Sequence, residues 1–107
     1  MASVKQGKQL LAITENKVGM LAEVAAEVSG SRVNIQGISA YAIENKAYFR
    51  ILTENNQAAK KALEAKGYEV IEQDVIIMTL ANKVGALKEV ADKLKAAGID
   101  LKYILFL

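Results

Sequence analysis

The groups best suited to chemistry lie in one short segment, Glu15-Asn16-Lys17-Val18-Gly19, which recurs as Ala81-Asn82-Lys83-Val84-Gly85. In both places a glycine stands directly before an apolar stripe of helical period. A glycine there lets the backbone come close to another body. The first N–H groups of the following helix lack partners within it and favour a carboxylate or a phosphate. Each turn is therefore a candidate holder of a small molecule's carboxylate. The same spacing also fits a purely architectural role, in which Gly19 and Gly85 provide only a tight turn and close helix–sheet packing.

The residue types that are missing narrow the other chemistry. The 107 residues include no Cys, His, Pro or Trp. There is thus no thiolate or imidazole for zinc, haem, iron–sulfur or copper, and no Cys–His or Ser–His–Asp nucleophile system, so no cofactor is expected. Glu23 and Glu27 lie four apart on the polar side of a helix, whereas a catalytic carboxylate pair needs a cleft. Tyr48-Phe49 is not an RNA-stacking pair, because adjacent strand residues point to opposite faces and Gln9 to Thr14 offers no aromatic partner. With a net charge of only +2, no nucleic-acid partner is expected. Lys60, Lys61, Lys88, Lys93 and Lys95 read as solvated helix faces, and Met78 and Tyr103 as packing residues.

A hydrophobic fraction of 52% with 24% charged residues belongs to a globular chain able to form a core without disulfides. Lys8, Glu15 and Lys17 interrupt the first apolar stretches, and no run of about 18 apolar residues occurs. Neither a membrane span nor a signal peptide is expected, and the cytoplasm is the expected compartment.

The elements that must position the turns follow from periodicity. Gln9 to Thr14 is an apolar run of strand length. After it, Leu21, Val24, Ala25 and Val28 form one helical stripe, ended by Ser29-Gly30-Ser31. Val33 to Tyr41 and Ala47 to Thr53 read as strands joined by the polar turn Glu44-Asn45-Lys46, which makes a hairpin. Asn55-Asn56 can cap a second helix with Ala59, Ala62 and Leu63 inward, and Gly67 suits its left-handed C-terminal cap. Tyr68 to Glu72 returns as a fourth strand. The order βαββαβ predicts an α+β, ferredoxin-like antiparallel sheet in the order 4-1-3-2, with helices on one face.

The sequence then starts again. Residues 82–91 repeat residues 16–25 at a constant offset of 66, differing only at Met20/Ala86 and Ala22/Lys88. The stripe Leu87, Val90, Ala91, Leu94 repeats that of the first helix, so this is an internal repeat. The second copy comprises a strand at Asp74 to Leu80, a helix from about Gly85 to Ala97 and a strand at Leu101 to Leu107. The expected modules are residues 8–73, complete, and residues 74–107, a partial βαβ. Without a counterpart of the third strand, a slot about one strand wide, roughly 4.8 Å, would open beside Ile104-Leu105-Phe106-Leu107. Another chain would fill it, or the natural protein would continue.

The run Asn16-Lys17-Val18-Gly19-Met20-Leu21-Ala22-Glu23-Val24-Ala25, followed by Val33-Asn34-Ile35, resembles the opening of an ACT domain, a small module that binds amino acids in many metabolic enzymes. Asn82, Gly85 and Leu87, followed by Gly98-Ile99-Asp100-Leu101, resemble the same opening. The resemblance implies a ligand held between modules, by the turn of one and the second strand of its neighbour. It places Asn16, Val18, Gly19, Met20 and Leu21 in one half-site and Asn34 and Ile35 in the other. The second copy supplies Asn82, Val84, Gly85, Ala86 and Leu87 with Asp100 and Leu101. Backbone N–H groups would meet the ligand's carboxylate, and the Asn or Asp oxygen would accept from its ammonium. Met20, Leu21 and Ile35 would favour an apolar ligand side chain.

The sequence departs from the family pattern at two kinds of position. Val18 and Val84 stand where the family usually has Pro, and Arg32 stands where the second copy has Gly98, with Gly30 expected to take over that helix cap. The function implied is a non-catalytic regulatory module, a homodimer that binds a small amino acid and acts on an enzyme of amino-acid metabolism. The alternative is a structural or oligomerisation module without a ligand.

Overall fold

A computed structural model describes residues 3–80 and 83–98. The elements are β1 (Ser3–Glu15), α1 (Met20–Gly30), β2 (Ile35–Ile43), β3 (Lys46–Thr53), α2 (Asn56–Ala65), β4 (Glu69–Thr79) and α3 (Ala86–Ala96). They form a four-stranded sheet in the order β2-β3-β1-β4, which is the expected ferredoxin-like arrangement. β3 runs antiparallel to both β1 and β2, with Leu10 opposite Ile51, Ala12 opposite Phe49, and Ala42 opposite Ala47.

That register puts Leu10, Ala12, Ala47, Phe49 and Ile51 on one face. There they form a buried cluster with Met20, Val24 and Val28 of α1, Ala59 and Leu63 of α2, and Val70. Of the expected inner residues of α2, Ala62 is only half-buried. The Asn55 side chain caps α2 by accepting from the Ala58 N–H at 3.2 Å. Gly67 ends it at φ 92, and the Tyr68 N–H returns to the Leu63 carbonyl at 3.2 Å, closing off the last turn.

The structure departs from the sequence-based expectation at four places. The inward stripe of α1 is Met20, Val24 and Val28, while Leu21 is 55% exposed and Ala25 half-buried. The buried face lies about 50° around the helix from the expected one, because its first residue, Met20, already points into the core. The second correction is β1, which begins at Ser3 rather than Gln9.

Thirdly, the strands expected at Tyr68 to Glu72 and Asp74 to Leu80 are one strand, β4. Gln73 and Asp74 interrupt the apolar run but include neither Gly nor Pro, and both are satisfied sideways by Gln9 and Lys8 of β1. Finally, Gly30 does not take over the cap of α1. It is the last helical residue, and Arg32 itself adopts φ 61, matching Gly98 at φ 72. The expected strand Leu101 to Leu107 and the slot beside it lie outside the described residues.

By compactness the chain divides into Gln6–Val75 and a second unit formed by Met1–Lys5 with Ile76–Leu107. The first contains the core described above. In the second, α3 turns Ala86 inward, with Val90 and Leu94 half-buried, and Ile76 is 59% exposed. Their equivalents in the first unit, Val24, Val28 and Leu10, are fully buried. There, β3 and α2 supply the covering residues Phe49, Ile51 and Leu63.

Candidate ligand site at the helix-entry turns

The two turns have the same geometry. Gly19 sits at φ 84, ψ 1 and Gly85 at φ 86, ψ −1, a left-handed conformation that a residue with a Cβ adopts only under strain. In the first, the Met20 N–H donates to the Lys17 carbonyl at 3.2 Å and the Glu23 N–H to the Gly19 carbonyl at 3.0 Å. In the second, the Ala86 N–H donates to the Lys83 carbonyl at 3.3 Å and the Glu89 N–H to the Gly85 carbonyl at 3.0 Å. Neither helix start has a side-chain cap. The second and third N–H groups of each helix, from Leu21-Ala22 and Leu87-Lys88, have no partner inside it.

The charges repeat as well. Lys17 pairs with Glu23 at 3.4 Å and Lys83 with Glu89 at 3.6 Å. Lys17 also reaches Glu15 at 3.6 Å. The carboxylate of Glu23, and then that of Glu15, hold the Lys17 ammonium above its ordinary value. The first turn is tied down further by the Asn16 N–H, which donates to the Asn45 carbonyl of the β2–β3 connection at 2.9 Å.

Beside the first turn is a shallow depression of about 320 Å³. Asn16, Lys17, Gly19, Met20 and Leu21 form one wall of it, and Ala40, Tyr41, Ala42, Ala47 and Phe49 the other side. The sheet residues were not singled out by sequence reasoning. Their signal was the hairpin register, which sets Ala40 opposite Phe49 and Ala42 opposite Ala47 and so leaves small side chains next to the glycine turn. Val18 lies outside the depression, with its side chain wholly in solvent, and Val84 is equally exposed.

Asn34 and Ile35 are not brought to this turn. They stand at the start of β2, about 26 Å along the strand from its hairpin end. There the Asn34 N–H donates to a carboxylate oxygen of Glu54 at 3.3 Å, and Ile35 packs against the core. Ala86 is buried at the start of α3, and Leu87 is 40% exposed. Asn82, Asp100 and Leu101 lie outside the described residues. Among the described residues, no group of His, Cys, Asp and Glu side chains is arranged to hold a metal, and no helix is long and apolar enough to cross a membrane.

Topology and turns together define a ferredoxin-like α+β module whose first helix is entered through a left-handed glycine. No protein-family model and no curated protein matches the sequence. Solved structures do match. A protein from Bacteroides thetaiotaomicron is 26% identical with a TM-score of 0.82, over 94% of this chain and 69% of that one. The regulatory subunit of aspartate kinase from Thermus thermophilus, in its ligand-free form, is 18% identical with a TM-score of 0.67, over 94% and 76%. The ACT domain of prephenate dehydrogenase from Bacillus anthracis is 22% identical with a TM-score of 0.52, over 59% and 99%. The chain has the ACT-domain fold.

Proposed function

We propose that the chain is a non-catalytic regulatory module that binds a small amino acid at an interface between modules or copies, and through it biases an enzyme of amino-acid metabolism in the cytoplasm. In this reading residues 8–73 form the complete module and residues 74–107 the partial one. The observation that carries the reading is the twofold occurrence of one turn geometry, down to its glycine dihedrals and its two backbone hydrogen bonds. A turn needed only to reverse the chain has many solutions, whereas both copies keep the one that leaves free N–H groups beside a glycine. The fold shared with a regulatory subunit of aspartate kinase, an enzyme acting by its name on an amino acid, supports the same reading.

The position of β2 supports a homodimer. It is an outer strand of the sheet, and Ile35–Ile43 contains no charged residue and no Pro to discourage pairing. Antiparallel pairing with β2 of a second copy sets the Asn34–Ile35 end of that copy beside the hairpin end of the first, next to the depression. The two half-sites, far apart in one module, then meet. The ligand's carboxylate takes the N–H groups of Leu21 and Ala22, and its side chain lies over Ala40, Ala42 and Phe49. Binding that bridges two copies favours one packing of them, which is how occupancy reaches a partner.

A thermal-shift panel of the common amino acids tests this. A ligand at about 100 times its dissociation constant adds roughly 2.7 kcal/mol, which is roughly 10 °C or more for a domain of this size. If no amino acid raises the melting temperature, the chain is a structural module without a ligand. If the shift survives Gly19→Val and Gly85→Val together, the ligand sits elsewhere.

A further inference from the structure

Strands β1 and β4 are neighbours in the sheet, and they are also each other's equivalents in the repeat. The 66-residue offset carries Ser3–Glu15 onto residues 69–81, so β4 is the second copy of β1. Two cross-strand contacts show how they meet. Lys8 Nζ donates to Asp74 Oδ1 at 2.6 Å, and Gln9 Nε2 donates to Gln73 Oε1 at 3.2 Å. One step forward on β1 is one step back on β4, the relation of an antiparallel pair.

Lys8 and Asp74 are themselves 66 residues apart. At this point in the ribbon, therefore, a residue faces its own repeat equivalent. If two copies of β1 met antiparallel about the same centre, Lys8 would face Lys8. If two copies of β4 did so, Asp74 would face Asp74. The flanking runs do not discriminate, because Leu10-Leu11-Ala12-Ile13 and Val75-Ile76-Ile77-Met78 are both apolar and rich in strand formers. Either would pair with a copy of itself. Directly opposed unlike charges stabilise a cross-strand pair and like charges destabilise it.

We infer that Lys8 and Asp74 form a pairing code, which directs β1 onto β4 and away from the like strand of a second copy. Their side chains are 55% and 87% exposed, so the ion pair adds little to the stability of the folded chain. Its effect is on the choice of partner while the strands are still unpaired.

The test compares the full-length chain with two variants of unchanged net charge, the reversed pair Lys8→Asp/Asp74→Lys and the erased pair Lys8→Thr/Asp74→Thr. Each is refolded from denaturant at high concentration and sized by sedimentation. The erased variant is expected to give roughly two- to five-fold more material larger than the wild-type assembly, the range of one cross-strand charge pair. The reversed variant is expected to match wild type, and the excess of the erased variant should persist after adjustment for any difference in melting temperature. An erased variant that refolds to the wild-type size distribution overturns the inference. So does a reversed variant that associates as much as the erased one, since charge at these positions would then act without regard to complementarity.

Discussion

At the scale of single residues, the repeat supplies its own control experiment. Arg32 and Gly98 occupy the same position after their helices, at φ 61 and φ 72, but only one of them is a glycine. A side chain in that conformation costs about 1–2 kcal/mol, part of which is returned because glycine has more freedom to lose on folding. Arg32→Gly is therefore expected to stabilise the first unit by about 1 kcal/mol, read as a higher denaturant midpoint at unchanged slope. Gly19→Ala and Gly85→Ala test the opposite sense. Each is expected to lose about 1 kcal/mol, although no heavy atom lies within 4 Å of either added Cβ. The importance of Gly19 and Gly85 was legible in the sequence from their place before a helical stripe, although their left-handed conformation was not. The left-handed Arg32 was not, because residue type argues against it and only the rest of the fold imposes it.

Among elements, α1 shows how far periodicity reaches. It fixed the existence of the helix and its extent, but a stripe of Leu21, Val24, Ala25 and Val28 lies only about 50° around the helix from Met20, Val24 and Val28, and both contain the same two valines. The choice between them is made by where the sheet stands, which is tertiary information. β4 failed in the other direction. Gln73-Asp74 reads as a boundary because polar residues interrupt an apolar run, yet a strand with a paired neighbour tolerates them when that neighbour offers Gln9 and Lys8. The pocket residues of β2 and β3 were hidden because alanines carry no chemical signal of their own.

Two predictions belong to these elements. Ala42→Leu fills part of the depression, so it is expected to abolish the amino-acid thermal shift while leaving the melting temperature of the free protein nearly unchanged. Ala40→Lys puts a charge on the outer strand and is expected to convert a dimer to monomer in sedimentation. A dimer that survives Ala40→Lys is built on some other surface.

For the whole molecule, the 66-residue offset was legible, and the fold class followed from the βαββαβ order of the elements. What the sequence concealed is that the compact units do not follow chain order, because the residues through Lys5 group with Ile76–Leu107 rather than with the segment they precede. A short, alternating N-terminal stretch carries no mark of which later strand it will join. Removing residues 1–5 is thus expected to lower hydrogen-exchange protection in α3, while the amides of β3 and α2 keep theirs. Equal loss in both units, or loss in the first alone, would contradict that grouping.

Val18 and Val84 bring two methyl pairs fully into water at the tips of the two turns. Because every other valine whose side chain is described is wholly or partly packed, such methyls make spectroscopic sentinels. With valine-specific isotope labelling, their signals would stand apart as sharp, mobile resonances, one pair for each turn. A ligand or a second copy settling over a turn would shift and broaden its own pair first. Occupancy of the two turns could then be followed separately in a single titration, without altering either site.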